Sequence, residues 1–254
     1  MEYKNIIVER EEGFAVITLN LPRSLNALNW DLMFELNTAL TELEEDDEVK
    51  SVIITGAGEK AFSAGADIHE MVDIGEEETE RRQLARSKFQ WHLANYKKPT
   101  IGAINGLAFG GAALMSSSFD IRVGCERTRF KYLAASYGRL NSTWTLPIQV
   151  GYPKAKELLF TGREVGAQEA KEIGLLNQLV SSDQLLEAAK GIAKLIAKNN
   201  PLMVQGIKQL VNDGIGESFR RRLDMEMEGR SGSLKGTPVK EGFKPFLDRK
   251  GRDK

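Results

Sequence analysis

Two glycine-containing segments decide the interpretation of this chain. Residues 61–71 read AFSAGADIHEM, and residues 105–111 read NGLAFGG. Each follows a short apolar run that is typical of a buried β-strand, Ser51–Thr55 in the first case and Thr100–Ile104 in the second. Two backbone turns placed in this way can direct two peptide N–H groups at one oxygen atom, which is how an oxyanion hole is built.

The composition narrows the possible functions. A chain of 254 residues can form one large α/β domain, or one domain with a helical appendage. With 35 Lys and Arg against 36 Asp and Glu, the net charge of −1 does not favour nucleic-acid binding. A single cysteine, Cys125, allows no intrachain disulfide, and only two histidines accompany it, so we expect a reducing compartment and no metal site.

No part of the sequence predicts a membrane segment or a secretory signal. Residues 100–119 carry no charge, but Asn105, several serines and several glycines make them too polar for a membrane-spanning helix. We predict a buried strand, a turn and a core helix there instead. The acidic residues between Glu9 and Glu12 do not suit a signal peptide. We therefore expect a cytoplasmic protein that associates with no membrane.

Strand-like and helical patterns alternate in the first half of the chain, and helical patterns fill the second half. Asn29 is predicted to cap a helix that continues to Glu45, because apolar residues recur at helical spacing after it. Gly162 is predicted to end a helix over 152–161 in the left-handed conformation. These patterns indicate an α/β part over residues 1–178 and a helical part over residues 179–254.

The motifs and their order resemble the crotonase (enoyl-CoA hydratase/isomerase) superfamily over nearly the whole chain. The matching strings are PRSLNAL (22–28), AGADI (64–68), NG with GG (105–111), LLFTG (158–162), AKEIGL (170–175) and EGFKPFL (241–247). The resemblance implies an α/β crotonase (ClpP-like) fold, a spiral of ββα units followed by a helical C-terminal trimerisation region. It also implies a homotrimer or a hexamer made of two trimers. The implied ligand is an acyl-CoA thioester, with no cofactor beyond the coenzyme A of the substrate.

The resemblance also assigns site residues. The two oxyanion-hole amides fall on Ala66 and Gly111, and Gly111 begins a helix whose dipole adds to the stabilisation of negative charge. Contacts to coenzyme A fall on residues of three segments of the chain: Arg23, Ser24 and Ala27; Ala64, Gly65, Asp67 and Ile68; Phe246 and Arg249.

Several of these residues have a simpler interpretation. The pair Gly110 and Gly111 could serve only tight packing of a helix on a strand. Asp67 could cap a local turn instead of touching a ligand. Arg23, on a predicted loop, could be a solvated cation, although arginine suits phosphate binding well. These alternatives remain open at the level of the sequence.

The chain departs from the family where hydration chemistry is carried out. The resemblance places the two glutamates of family hydratases at Leu114 and Ala134, and neither side chain can transfer a proton. General acid–base catalysis typically contributes about 10²–10⁴-fold, so hydration is expected to be impaired. The following segment, GRLNSTW (138–144), replaces a glycine-rich loop of the family. Lys131 and Tyr137 are the nearest groups that could move a proton, and Trp144 could fill an acyl pocket or be a buried structural residue.

The expected function is therefore an enoyl-CoA hydratase/isomerase-like protein, a lyase or isomerase that binds acyl-CoA and stabilises a thioester enolate. A first alternative is a decarboxylase of malonyl-type thioesters, because such a substrate carries its own leaving carboxylate. Residues 61–71 resemble the same segment of methylmalonyl-CoA decarboxylases, which have histidine at the position of Ala66. A second alternative is a catalytically silent subunit that binds acyl-CoA.

Overall fold

The computed structural model describes residues 3–72 and 74–250, without the side chains of residues 245, 249 and 250. The chain divides into two compact units, Met1–Lys198 and Asn199–Lys254. The strands of the first unit are β1 (Ile6–Glu11), β2 (Phe14–Leu19), β3 (Ser51–Gly56), β4 (Ala61–Ser63), β5 (Thr100–Ile104), β6 (Leu107–Phe109), β7 (Ile121–Cys125), β8 (Arg129–Lys131), β9 (Glu164–Gly166) and β10 (Gln178–Val180). Its helices are α1 (Trp30–Glu45), α2 (His69–Val72), α3 (Glu76–Ala94), α4 (Gly111–Ser117), α5 (Leu146–Val150), α6 (Tyr152–Thr161), α7 (Ala167–Glu172) and α8 (Leu185–Ala197).

The strands form two sheets, and the chain alternates between them. The larger sheet has the order β1-β2-β3-β5-β7-β10, and the smaller one has the order β4-β6-β8-β9. Each of the pairs β3–β4, β5–β6 and β7–β8 contributes one strand to each sheet, and helical segments follow before the next pair. Strands β3, β5 and β7 are parallel, as are β4, β6 and β8. This repetition confirms the predicted spiral of ββα units.

Helix α1 shows how local sequence sets an element. The side-chain oxygen of Asn29 accepts a hydrogen bond from the Leu32 amide at 2.8 Å, which confirms the predicted cap. One face of the helix is buried through Leu32, Leu36, Leu40 and Leu43, spaced three or four residues apart. The helix ends at Glu45, as the pattern predicts. Gly162 likewise caps α6 with φ +58°, as predicted.

The uncharged stretch 100–119 is the core of the fold. It comprises β5, β6 and α4, and most of its side chains are buried. The predicted strand, turn and core helix are therefore confirmed. Among residues 3–72 and 74–250, no helix is long and apolar enough to span a bilayer.

The individual strands of the smaller sheet were not predicted from the sequence pattern, although the family resemblance implies ββα units. Its strands β4, β6, β8 and β9 have only three residues each, so no alternation of polar and apolar residues can develop. Strands β4, β6 and β8 each follow a strand of the larger sheet, and those preceding strands lie next to one another. Strands β4 and β6 of this sheet lie within the two glycine segments.

Helix α8 belongs to the first unit. Its buried residues Leu185, Ala189 and Ala193 pack into a second apolar cluster with side chains from strands β2, β3, β5 and β7. The predicted boundary at residue 178 precedes this helix, whereas the compact unit continues to Lys198. The difference arises because one face of the larger sheet needs an apolar cover.

The second unit is helical over its described residues. It contains α9 (Pro201–Asp213), α10 (Phe219–Ser231), α11 (Val239–Gly242) and α12 (Lys244–Lys250). Asn200 caps α9 and Ser218 caps α10 through side-chain hydrogen bonds to the Met203 and Arg221 amides. Several large apolar side chains of these helices remain exposed in the single chain, namely Leu202, Ile207, Val211, Phe219, Leu223 and Met227.

Candidate active site

The loop that begins with Arg23 runs beside the first glycine segment. Leu28 donates to the Gly65 carbonyl at 2.8 Å, and the Asp67 amide donates to the Leu28 carbonyl at 3.4 Å. Ala66 therefore forms an isolated parallel bridge with Leu28, held by the groups on either side of it. Because peptide groups alternate in direction along an extended chain, the Ala66 N–H points away from Leu28. It is available on the side facing the second glycine segment.

The two glycine segments meet with little space between them. Gly65 has φ +93°, and a Cβ atom there would overlap the Phe109 carbonyl oxygen and lie 3.1 Å from the Gly111 nitrogen. A Cβ atom on Gly111 would lie 3.5 Å from the Ala66 nitrogen. The structure thus brings Ala66 and Gly111 together. Neither amide donates a hydrogen bond to another described residue.

Gly110 is required for backbone conformation. Its φ of +52° and ψ of −113° are unfavourable for other residues, while a Cβ atom there would meet nothing within 4 Å. Its amide donates to the Lys131 carbonyl at 2.8 Å, which ties this turn to β8. Open space at Gly110 does not fit the simpler interpretation that it only permits tight packing.

Two buried asparagines that we did not predict as site residues hold the turn between β3 and β4. The Asn26 amide nitrogen donates to the Ala57 and Ala61 carbonyls, both at 3.0 Å. The Asn105 amide nitrogen donates to the Gly56 and Gly58 carbonyls at 2.9 and 2.8 Å. Asn26 adopts φ +54°, a conformation that asparagine tolerates better than most residues. A buried polar residue beside a glycine turn is the sequence signal that could have identified both.

The residues predicted to contact coenzyme A lie in different places. Arg23 and Ser24 are exposed on a 3₁₀ turn, Ala27 is buried, and Ala64 donates to the Leu25 carbonyl at 2.9 Å. Ile68 is 61% exposed. Phe246 is 53% exposed within the second unit, and the side chain of Arg249 lies outside the described part of the structure.

A groove adjoins the Arg23 loop. Its volume is about 290 Å³, and its lining residues are Pro22, Leu25, Asn26, Ala57, Gly58, Glu59, Lys60 and Ala61. Lys60, which we did not predict from the sequence, is an exposed cation that lines this groove. A cation at the groove favours the binding of a phosphate-bearing ligand.

Two carboxylates that follow Ala66 in the sequence accept hydrogen bonds from backbone amides. The Asp67 side chain accepts a hydrogen bond from the His69 amide at 3.0 Å, which is the local turn considered above. The Glu70 side chain accepts from the Trp30 amide at 2.8 Å, at the first residue of α1. Glu70 therefore stabilises the N-terminus of α1.

The positions of the family glutamates hold no proton-transfer group. Leu114 is half-buried on α4, and Ala134 is half-buried immediately before a 3₁₀ turn over Ala135–Tyr137. The interpretation of Trp144 as a buried structural residue is wrong, because its side chain is 43% exposed. Its ring lies against Trp91 of α3, with 6.3 Å between ring centroids. The segment after Ala134 therefore packs on α3.

The first turn of α3 is strongly charged. Glu78 accepts hydrogen bonds from Arg81 at 2.6 and 2.7 Å and from Arg82 at 2.6 Å. These two guanidinium groups lower the pKa of Glu78 to about 2. Arg81 and Arg82 also lie over the Trp30 ring, each at 5.3 Å from its centroid. Within the described residues, no group of three His, Cys, Asp or Glu side chains is placed to hold a metal ion.

Comparisons with known proteins agree with this architecture. The family described as Enoyl-CoA hydratase/isomerase matches residues 9–253. The chain is 37% identical to the short-chain-enoyl-CoA hydratase of Clostridium acetobutylicum, over 98% of this chain and 97% of the relative. It is 34% identical to the crotonyl-CoA hydratase of Syntrophomonas wolfei, again over 98% and 97%. A crystal structure of enoyl-CoA hydratase from Bacillus anthracis matches with a TM-score of 0.91 and 34% identity, covering 97% of both chains. The chain therefore belongs to the enoyl-CoA hydratase/isomerase family, within the crotonase superfamily.

Proposed function

We propose that this protein binds an acyl-CoA thioester and stabilises the enolate of that thioester through the amides of Ala66 and Gly111. The observation that carries the proposal is the close approach of these two residues, with neither N–H engaged elsewhere in the described chain. Two preorganised donors aimed at a developing oxyanion act without reorganisation during the reaction. The names of the relatives support coenzyme A thioesters as the ligand class.

The reaction that follows enolate formation depends on proton transfer. The relatives named as hydratases support addition of water to a 2-enoyl-CoA. Leu114 and Ala134 disfavour it, because hydration needs an acid–base group at the α- and β-carbons. Decarboxylation of a malonyl-type thioester requires no such carboxylate, since loss of CO₂ leaves its electron pair on the α-carbon as the enolate. These residues favour this second candidate.

The oxyanion hole can be tested without knowing the reaction. Hydrogen bonds to a thioester carbonyl weaken its C=O bond, so the infrared stretching frequency of ¹³C-labelled butyryl-CoA should fall when it binds. Gly111→Pro deletes one donor and should remove much of that shift. Glu76→Pro changes the first residue of α3 in the same way and should leave the shift unchanged. A folded Gly111→Pro protein with the full shift would refute the proposed role.

Turnover identifies the reaction. Crotonyl-CoA, a 3-enoyl-CoA and malonyl-CoA report hydration, isomerisation and decarboxylation in one assay panel. Loss of one oxyanion donor typically costs about 10²–10³-fold, so Gly111→Pro should nearly abolish whichever activity the wild-type protein has. Binding of butyryl-CoA by calorimetry without turnover of any of the three would instead support a catalytically silent acyl-CoA-binding subunit.

We also propose that the protein assembles as a homotrimer or as a hexamer of two trimers. The exposed apolar side chains of α9 and α10 supply a surface that association would bury. Light scattering coupled to size exclusion measures the mass directly. A monomer at micromolar concentration would contradict this assembly.

A further inference from the structure

Arg86, in the middle of α3, carries an unused set of hydrogen-bond donors. Its Nε and Nη2 atoms are buried and have no hydrogen-bond partner among the described residues. The remaining nitrogen, Nη1, lies 3.3 Å from the sulfur of Met71. One turn further along the same face, the side-chain oxygen of Gln90 is also buried without a partner. Buried polar groups are normally satisfied by protein, water or a ligand, so these atoms are available to bind one.

The open edge of Arg86 has the geometry that binds a carboxylate. Nε and Nη2 point in parallel, and Arg81 uses the same two atoms to bind both oxygens of Glu78, at 2.6 and 2.7 Å. Glu70, the acidic group whose charge acts on Arg86, already accepts a hydrogen bond from the Trp30 amide.

The surroundings of Arg86 are positive. Burial lowers the pKa of Arg86, the charge of Glu70 raises it, and the charges of Arg82 and Arg139 lower it further. Three guanidinium groups thus act together with one acidic side chain. An anion at the open edge would relieve both the repulsion and the unmet hydrogen bonds.

A fully buried arginine, Arg122, shows what a structural role requires. Arg122 is 2% exposed, and its Nε donates to the Leu175 carbonyl at 2.6 Å while its Nη2 donates to Gln149 Oε1 at 2.6 Å. Its Nη1 donates to the Phe119 carbonyl. Every nitrogen of Arg122 therefore has a partner within the chain. Arg86 differs because two of its nitrogens have none.

Arg86 lies between two segments of the candidate active site. Met71, which it contacts, belongs to α2, the turn that follows Ala66 and Asp67. Arg139, whose charge acts on it, belongs to the segment after Ala134, and its amide donates to the Ala134 carbonyl at 2.8 Å. Lys60, at the groove beside the Arg23 loop, belongs to another segment of the chain. Arg86 thus adjoins the segments that follow Ala66 and Ala134.

We propose that Arg86 binds a carboxylate at the far end of the acyl chain, so that the substrate class is the CoA thioester of a dicarboxylic acid. This inference rests on the acyl-CoA function proposed above. The two carboxylate oxygens accept hydrogen bonds from Nε and Nη2 of Arg86. If the side-chain amide of Gln90 is rotated by 180°, its N–H group can donate a hydrogen bond to the same carboxylate.

Two unreactive ligands test this selectivity. Pentanoyl-CoA and glutaryl-CoA have five-carbon acyl chains that end in a methyl group and in a carboxylate. Calorimetry on the full-length protein should show tighter binding of glutaryl-CoA. Arg86→Met should weaken glutaryl-CoA roughly ten- to hundredfold and leave pentanoyl-CoA within about twofold. Arg81→Met, on the same helix but exposed, is the matched control and should not change the ratio of the two affinities.

Thermal unfolding separates a binding role from a structural one. Arg86→Met removes a half-buried cation with two nitrogens that have no partner among the described residues, so the variant should unfold at the same temperature as the wild type or higher. A clear decrease in the unfolding temperature would indicate a structural role and overturn the inference.

The possible failures are distinguishable. If Arg86→Met weakens both ligands equally, Arg86 binds the coenzyme A portion and the dicarboxylic class is wrong. If the wild type binds both ligands with equal affinity, the carboxylate has no dedicated partner and the inference is also wrong. If the wild type binds neither ligand, the proposed acyl-CoA function itself fails, and the inference fails with it.

Discussion

Two regions differ in packing and in hydrogen bonding. One consists of the backbone turns around Ala66 and Gly111, and the other of the helical segments α2 and α3. The turns are half-buried and packed to contact distance, and the neighbouring turn between β3 and β4 is held by Asn26 and Asn105, whose side-chain polar atoms are all engaged. Helix α3 carries exposed apolar side chains such as Leu84 and Trp91, and leaves Arg86 and Gln90 partly unsatisfied. The difference indicates a division of labour. Rigid main chain suits the thioester that every acyl-CoA shares, and adaptable side chains suit the acyl group that differs between substrates.

The largest effect is expected from a single methyl group in the rigid region. Gly65→Ala would place its Cβ against the Phe109 carbonyl oxygen and 3.1 Å from the Gly111 nitrogen, at a φ of +93°. We expect displacement of the donor pair and a loss of roughly 10²–10³-fold in kcat/KM for whichever substrate is turned over. Gly75→Ala is the control, because no atom lies within 4 Å of its Cβ position. Equal activity of the two variants would contradict the close packing of the glycine segments.

A smaller effect is expected on the stability of the same region. Asn105→Ala removes the donors to the Gly56 and Gly58 carbonyls, and Asn105 is buried. Leaving such groups unsatisfied should lower the free energy of unfolding by about 2–4 kcal/mol, measured by urea denaturation. Asn95→Ala, on the exposed end of α3, should cost less than about 0.5 kcal/mol. Comparable losses from both variants would remove the distinction between the two regions.

The smallest effect is expected at the charged start of α3. The folded pKa of Glu78 is about 2, against an ordinary value of 4.5, because Arg81 and Arg82 donate to it. Its contribution to stability is therefore fully present above pH 4.5 and is lost as the pH falls towards 2. Solvent screening keeps this contribution small. Amide exchange of α3 should accelerate slightly between pH 4.5 and 2 relative to the rest of the chain, after correction for intrinsic rates. In Glu78→Gln this extra pH dependence should disappear.

Much of the fold could be predicted because its signals are local. The Asn29 cap, the apolar stripe of α1 and the left-handed Gly162 depend on residues within a few positions of one another. The uncharged stretch 100–119 could be assigned to the core for the same reason. The three-residue strands of the smaller sheet could not be predicted, since their pairing partners come from distant parts of the chain.

The candidate site divides in the same way. The motifs around Ala66 and Gly111 could be recognised in the sequence, and so could the absence of a carboxylate at Leu114 and Ala134. Lys60, Asn26 and the exposed position of Trp144 were not predicted. Their roles depend on which segments the spiral places next to one another. The order of residue types along the chain does not contain that information.

By itself, the sequence determined where helices start and end, which residues avoid water, and which turns need glycine, because each follows from the chemistry of neighbouring residues. The tertiary structure alone decided that a Cβ atom on Gly111 would lie 3.5 Å from the Ala66 nitrogen, and that two side-chain nitrogens of Arg86 are buried without a partner among the described residues. Both facts depend on contacts between segments that are distant in sequence. Such contacts are set by the closure of the two sheets and the packing of the helices around them.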